Sequence, residues 1–397
     1  IGCASQSDRG TVANVSSTPI GPLRPPIMGR NAGVSAGHPL TTSAALEILQ
    51  QGGNAFDAGV AALLVGGVAE QDLYGIGGEA LILVYPEHEK KVTSITGQGW
   101  APAAANIEDW QNAGKTLEGQ GLDASVVPGA IHAALTVLER WGTMSFEMVS
   151  RRAIEYAEHG FPLRGRTANA IERDIEFINQ WPGNQSFWLK KDGSLYKPGE
   201  NIRFPGMANT FKRMLEAEHG AADESREAGI VAARNRFYQG DIAEEMVAFL
   251  QENGAPYELA DFAEYFARVE EPSSTTYKNF TVYKQPFNSQ GPMLLQTLNL
   301  LENFDLQAMG HNSADYAHVL IEAMKLAYAD RDTYYADQDF VDVPAIGLLS
   351  KAYAAQRAKL IDLTRASQDF SAGDPLPFDP DVDTWPYWKA GESLPVA

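Results

Sequence analysis

Gly37-His38-Pro39-Leu40-Thr41-Thr42-Ser43 opens the stretch that decides the fold, and Gly97-Gln98-Gly99-Trp100-Ala101-Pro102 closes it. Between them stand Gly52-Gly53-Asn54-Ala55-Phe56-Asp57-Ala58 and Tyr74-Gly75-Ile76-Gly77-Gly78-Glu79. Thr41, Thr42 or Ser43 can cap a helix whose apolar face is Ala45, Leu46 and Leu49. Gly52-Gly53 ends that helix. Asn54 starts a second, more apolar helix that runs to about Ala69. Leu81 to Tyr85 and Lys91 to Thr96 read as two strands joined by the polar turn Pro86 to Lys90. This hairpin delivers Gly97 to Trp100 at its end.

Outward from that stretch the chain is mostly helical. Pro128 begins an Ala- and Leu-rich helix to Trp141, and Phe146 to His159 follows, stopped by Gly160-Phe161-Pro162. Met207 to Gly254 is a polar helical region with a charged surface stretch from Glu216 to Glu227. Thr275 to Pro286 reads as a strand. Ser313 to Tyr335 is a long helix with Ala317, Leu320, Ile321, Met324 and Ala327 on one face. Residues 1–28, rich in Ser, Pro, Gly and Thr, read as a flexible tail. Residues 29–366 form the main domain. Residues 367–397 carry five prolines and a series of aspartates without apolar period, and read as a flexible linker.

Composition sets the bounds. The chain has 397 residues, 44% hydrophobic and 21% charged, enough to bury a large core. Its net charge of −20 repels nucleic acid and anionic headgroups. The longest apolar stretch, Ala58 to Ala69, contains Gly59, Gly66 and Gly67 and is too short to span a bilayer. The single cysteine, Cys3, excludes an intrachain disulfide.

Several chemistries find no support. Gly75-Ile76-Gly77-Gly78 has a helix before it and a strand after it, the wrong order for a dinucleotide loop. A tight helix-to-strand turn accounts for it. The histidines lack metal spacing. Asp330, Asp332, Asp337, Asp339 and Asp342 lack the glycine and terminal glutamate of a calcium loop, and read as a solvated loop or capping network. No cofactor and no metal site is expected.

The order of the opening blocks resembles the large subunit of the γ-glutamyltranspeptidase family of N-terminal-nucleophile (Ntn) hydrolases. The resemblance continues through Ala124-Ser125-Val126-Val127-Pro128-Gly129, Lys191-Asp192-Gly193-Ser194, Phe237-Tyr238-Gln239-Gly240 and Ala260-Asp261-Phe262-Ala263-Glu264-Tyr265. Gly310-His311-Asn312-Ser313, Glu322 to Arg331 and Asp339 to Pro344 follow in the same order. It implies an α/β fold, a four-layer αββα sandwich completed by a separate small subunit. It also implies a precursor that cuts itself before a threonine, whose freed α-amine then activates the hydroxyl for attack on an amide. The carboxyl side of that cut is expected at Ala397, so the nucleophile belongs to the small subunit and no catalytic residue is expected in this chain. Ile1-Gly2-Cys3-Ala4-Ser5 resembles the end of a bacterial lipoprotein signal, which implies lipidation at Cys3 and a periplasmic or cell-envelope location; a chance cysteine in a tail is the other reading.

The family holds the α-carboxylate of its γ-glutamyl substrate with the arginine of an Asp-Phe-Arg-Glu-type segment. Here the matching segment is Thr96-Gly97-Gln98-Gly99, with Gln98 in the arginine's place. Glutamine supplies neither the charge nor the bidentate fork. Hydrogen bonds to charged groups contribute roughly 1.5–3 kcal/mol, so the loss matters. Gly97, Gln98, Trp100 and Tyr74 are the expected substrate-binding residues, with Trp100 and Tyr74 walling a neutral or aromatic acyl group. Trp100 packed in the core is the competing reading, and Arg164 or a residue of the small subunit is a candidate compensating cation. Glu79 stands where the family often has glycine, either as a pocket carboxylate or as a surface charge. The favoured function is amide hydrolysis through an acyl-enzyme, as an acylase. A glutathione-cleaving transpeptidase and a processed, inactive binding protein are the alternatives.

Overall fold

The structure, a computed structural model, describes residues 28–114, 121–221, 223–368 and 370–386. Cys3, Ala397 and nearly all of the expected tail lie outside the described residues. The chain divides into two units, Ile1–Ser35 and Ala36–Ala397. Residues 28–35 of the first carry neither helix nor strand.

In the second unit, Pro39–Gln50 and Ala55–Ala69 form the first helix pair. The first is capped by the His38 side chain, which accepts from Leu40 N–H, and not by Thr41, Thr42 or Ser43. Pro39 is the reason: proline is favoured in a first turn, which moves the start of the helix ahead of the hydroxyl residues. Asn54 caps the second helix in a reciprocal box with Asp57. Both side chains also reach the far end of the Ala130–Trp141 helix. Asn54 Nδ2 donates to Trp141 O at 2.7 Å, and Asp57 accepts from Thr143 N and Met144 N. Tyr74 to Ile76 folds back over Gly66 and Gly67, where a Cβ would meet the Tyr74 hydroxyl at 1.7 Å and Ile76 Cγ2 at 3.0 Å.

The hairpin follows as Ala80–Val84 and Thr93–Gly97, antiparallel with Ala80 opposite Gly97. Arg268–Glu270 joins its second strand, placing Arg268 opposite Thr96. The Ala130–Trp141 helix packs on both hairpin strands and on Ala55–Ala69, which also packs on Phe146–His159. The core sits between these helices and the sheet, where Leu64, Ile95, Ile131, Leu135 and Leu138 are fully buried.

Three helices, Pro205–Ala221, Arg226–Tyr238 and Asp241–Glu252, fill the polar helical region. Its charged stretch is not all surface. Glu218 is buried and accepts from Phe146 N and Glu147 N at 2.6 and 2.8 Å, satisfying the start of another helix. The expected strand from Thr275 is a hairpin, Ser273–Tyr277 and Phe280–Lys284, because Lys278 turns the chain at φ 51°. Gly291–Leu301 packs on that hairpin and on the long helix Ala314–Tyr334, which Ser313 caps.

The linker expected from residue 367 is held against the domain as far as Trp385. Arg357 donates to Ser371 O, Tyr334 donates to Gly373 O, and Asp379 accepts from Gly347 N. Trp385 packs on Tyr334 with ring centroids 5.2 Å apart. Proline-rich composition removes periodicity without preventing side chains from packing. Among the described residues no helix is long and apolar enough to cross a membrane.

Candidate functional site

The end of the first hairpin is held by close backbone approach. A Cβ at Gly97 would lie 2.5 Å from Ala133 Cβ and 2.8 Å from Ala80 O. One at Gly99 would lie 1.8 Å from Val127 O, and one at Gly129 would lie 2.1 Å from Gly97 O. Gly78 O accepts from Gly129 N and Ala130 N, both at 2.9 Å, and so caps the start of the 130–141 helix. Tyr265, buried, donates from its hydroxyl to Gln98 O at 3.0 Å. Burial pushes the pKa of that hydroxyl well up, so it stays a donor. The main chain of Gln98 is thus fixed from beneath while its side chain stands at the strand end.

Gln98 lines a cavity of about 740 Å³. Glu79 and Leu81, from the partner strand, line the same cavity. Its far wall comes from Lys284 to Gly291, and its remaining side from Arg331 to Asp337 at the end of the long helix. Phe287 and Tyr335 meet there edge to face, 4.8 Å between centroids. The Tyr335 hydroxyl points into the protein, donating to Gln296 Oε1 at 2.6 Å.

The guanidinium groups at this cavity are already paired. Arg331 donates to Gln290 Oε1 and to Asp332, each at 2.7 Å, and its guanidinium lies 4.5 Å from the Tyr328 ring centroid. Asp337 is bound by Arg268 at 2.7 Å, and Arg268 also reaches Asp339 at 2.8 Å. Neither guanidinium is a vacant fork for a substrate carboxylate. Among the described residues no group of three or more His, Cys, Asp or Glu converges on a metal position.

The γ-glutamyltranspeptidase family model matches residues 41–385. The chain belongs to the γ-glutamyltranspeptidase family. It is 33% identical over 337 residues to the glutathione hydrolase-like YwrD proenzyme of Bacillus subtilis (strain 168), an alignment covering 84% of this chain and 61% of that protein. It superposes on the Helicobacter pylori gamma-glutamyltranspeptidase with a TM-score of 0.78 at 27% identity, covering 86% of this chain and 95% of that one. The cephalosporin acylase from Bacillus halodurans gives a TM-score of 0.76 at 28% identity, covering 90% and 65%. The fold is therefore the α/β fold of the Ntn hydrolases, and the chain spans about three fifths of the length of the curated relative.

Within this family member the expected substrate residues separate. Gln98 faces the cavity, and Gly97 supplies the close packing behind it. Trp100 does not line the cavity; it packs edge to face on Tyr265 and Phe266, at 5.4 and 5.1 Å. Tyr74 does not line it either; its hydroxyl donates to Leu63 O beside Gly66. Sequence shows that a large ring is present at each position, not which way it turns. Arg164 is bound to Asp72 at 2.7 Å and to Thr167, away from the cavity, and does not stand in for the arginine missing at position 98.

Glu79 fits both of its readings: it is an exposed charge just before the first strand, and it lines the cavity. Arg331, Tyr335 and Asp337 were missed as site residues, although the Glu322 to Arg331 block was legible as a family feature. The aspartates expected in a solvated loop or capping network differ in their surroundings, and Asp337 accepts locally from Asp339 N. Asp330 is buried, accepting from Gln296, Tyr353, Arg357 and Gly373 N, whereas Asp332 and Asp337 pair with arginines.

Proposed function

We propose that this chain is the larger part of an autoprocessed amide hydrolase that works through an acyl-enzyme and does not grip a substrate α-carboxylate. Family membership supports the reaction class, since relatives carry the names glutathione hydrolase and acylase, both as proenzymes. The nucleophilic threonine is assigned to the small subunit of the same precursor. Its hydroxyl attacks the amide carbonyl, the amine leaves, and water or a second amine takes the acyl group. The role of this chain is to shape the acyl subsite.

The observation that carries the substrate reading is Gln98 on the cavity wall, with Arg331 and Arg268 already held by protein acceptors. Acyl groups lacking an α-carboxylate are then handled as well as γ-glutamyl groups. A glutathione hydrolase is the second reading, favoured by Lys284 on the same cavity.

Gln98→Arg in the full-length proenzyme tests the assignment. The variant is expected to raise kcat/KM for a γ-glutamyl anilide about tenfold or more, the size of a charge-assisted hydrogen bond. Wild-type turnover of γ-glutamyl anilide far above that of neutral acyl anilides, with no gain in Gln98→Arg, would refute it.

A further inference from the structure

We infer that the subsite beside Gln98 takes a cationic group, so that the preferred acyl chain ends in an amine. The inference rests on the reading of this cavity as the acyl subsite. Glu79 and Gln98 adjoin Ala80 and Gly97, the last pair of the hairpin ladder, and both line the cavity. Leu81, two residues on from Glu79, lines the same cavity, as the period of two requires. The two departures from the family pattern therefore line one cavity. One removes a positive charge and the other adds a negative one.

The Glu79 carboxylate is solvent-facing and forms no ion pair among the described residues. The two guanidinium groups nearby have other acceptors, Arg331 with Asp332 and Gln290, and Arg268 with Asp337 and Asp339. The Gln98 amide adds an acceptor oxygen beside it. A carboxylate next to an amide oxygen binds an ammonium and repels a carboxylate. Lys284, the other lining cation, comes from the second hairpin, so an anionic group drawn to it is the competing outcome.

The test uses the full-length proenzyme after self-cleavage, with δ-aminovaleryl, valeryl and glutaryl anilides. These share a chain length and differ at the end that reaches Glu79. The expected kcat/KM for the δ-aminovaleryl anilide exceeds that for the glutaryl anilide about tenfold. That advantage shrinks as salt screens the exposed carboxylate. In Glu79→Gln the ratio of δ-aminovaleryl to valeryl turnover falls to near one. Glutaryl turnover equal to or above δ-aminovaleryl, or an unchanged ratio in Glu79→Gln, overturns the inference. If no anilide is turned over, the amide-hydrolase reading fails separately. Calorimetric binding of δ-aminovalerate against glutarate then decides the cation preference without turnover, and equal or tighter glutarate binding overturns it.

Discussion

Gln98 acts from a main chain that has almost no freedom. Its carbonyl is held by Tyr265, and the glycines on either side lie against the backbone of residues 127–129. Gly97→Ala inserts a methyl against Ala133 Cβ and Ala80 O. Overpacking of this kind costs about 1–3 kcal/mol, and here it must push two strands apart. The denaturant midpoint of Gly97→Ala should fall accordingly; an unchanged midpoint would show that the strand end yields easily. The identities of Gln98 and Glu79 were legible in the sequence, because a departure from a known motif needs only alignment. The placement of Trp100 and Tyr74 was not. A ring's direction depends on neighbours far along the chain, here Tyr265 and Phe266 for one and Gly66 for the other.

Elements with local signals were readable almost to the residue. Asn54, Ser145 and Ser313 start their helices by accepting backbone N–H groups, as hydroxyl and amide residues do. What sequence missed are the caps supplied from a distance, such as Glu218 on the Phe146 helix and Gly78 O on the Ala130 helix. The contact between the 130–141 helix and the segment leading into Arg268–Glu270 has a titratable centre. His132 Nδ1 accepts from Ala267 N at 3.1 Å, which fixes the proton on Nε2, and its ring meets Tyr238 and Tyr265 edge to face. Burial, with Arg234 adding to it, lowers the His132 pKa from 6.5 to about 3. The unfolded chain then binds a proton below about pH 6.5 that the folded chain refuses. Stability from this group is complete above that pH and is lost as pH falls towards about 3. Between pH 7 and 5 the loss amounts to roughly 2 kcal/mol. Urea midpoints should fall over that range in the wild type and fall less in His132→Gln; parallel slopes would remove His132 as the cause.

Across the whole molecule the cavity beside Gln98 is assembled from parts that are far apart in sequence: the first hairpin, the segment after the second hairpin, and the end of the long helix. Behind it, Tyr335 leans on Gln296, which donates to the buried Asp330, and Asp330 is held by Arg357 and by Gly373 N. The Pro- and Asp-rich segment therefore braces the wall through contacts that composition hides. The proposed preference for substrates without an α-carboxylate rests on the paired Arg331 and Arg268 guanidinium groups and on Gln98 standing where the family's arginine is expected. The direct measurement compares kcat/KM of the self-cleaved full-length protein for γ-glutamyl anilide and γ-aminobutyryl anilide, which differ only in the α-carboxylate. Equal turnover, or faster turnover of the γ-aminobutyryl compound, is the predicted result. A large advantage for γ-glutamyl anilide would contradict it.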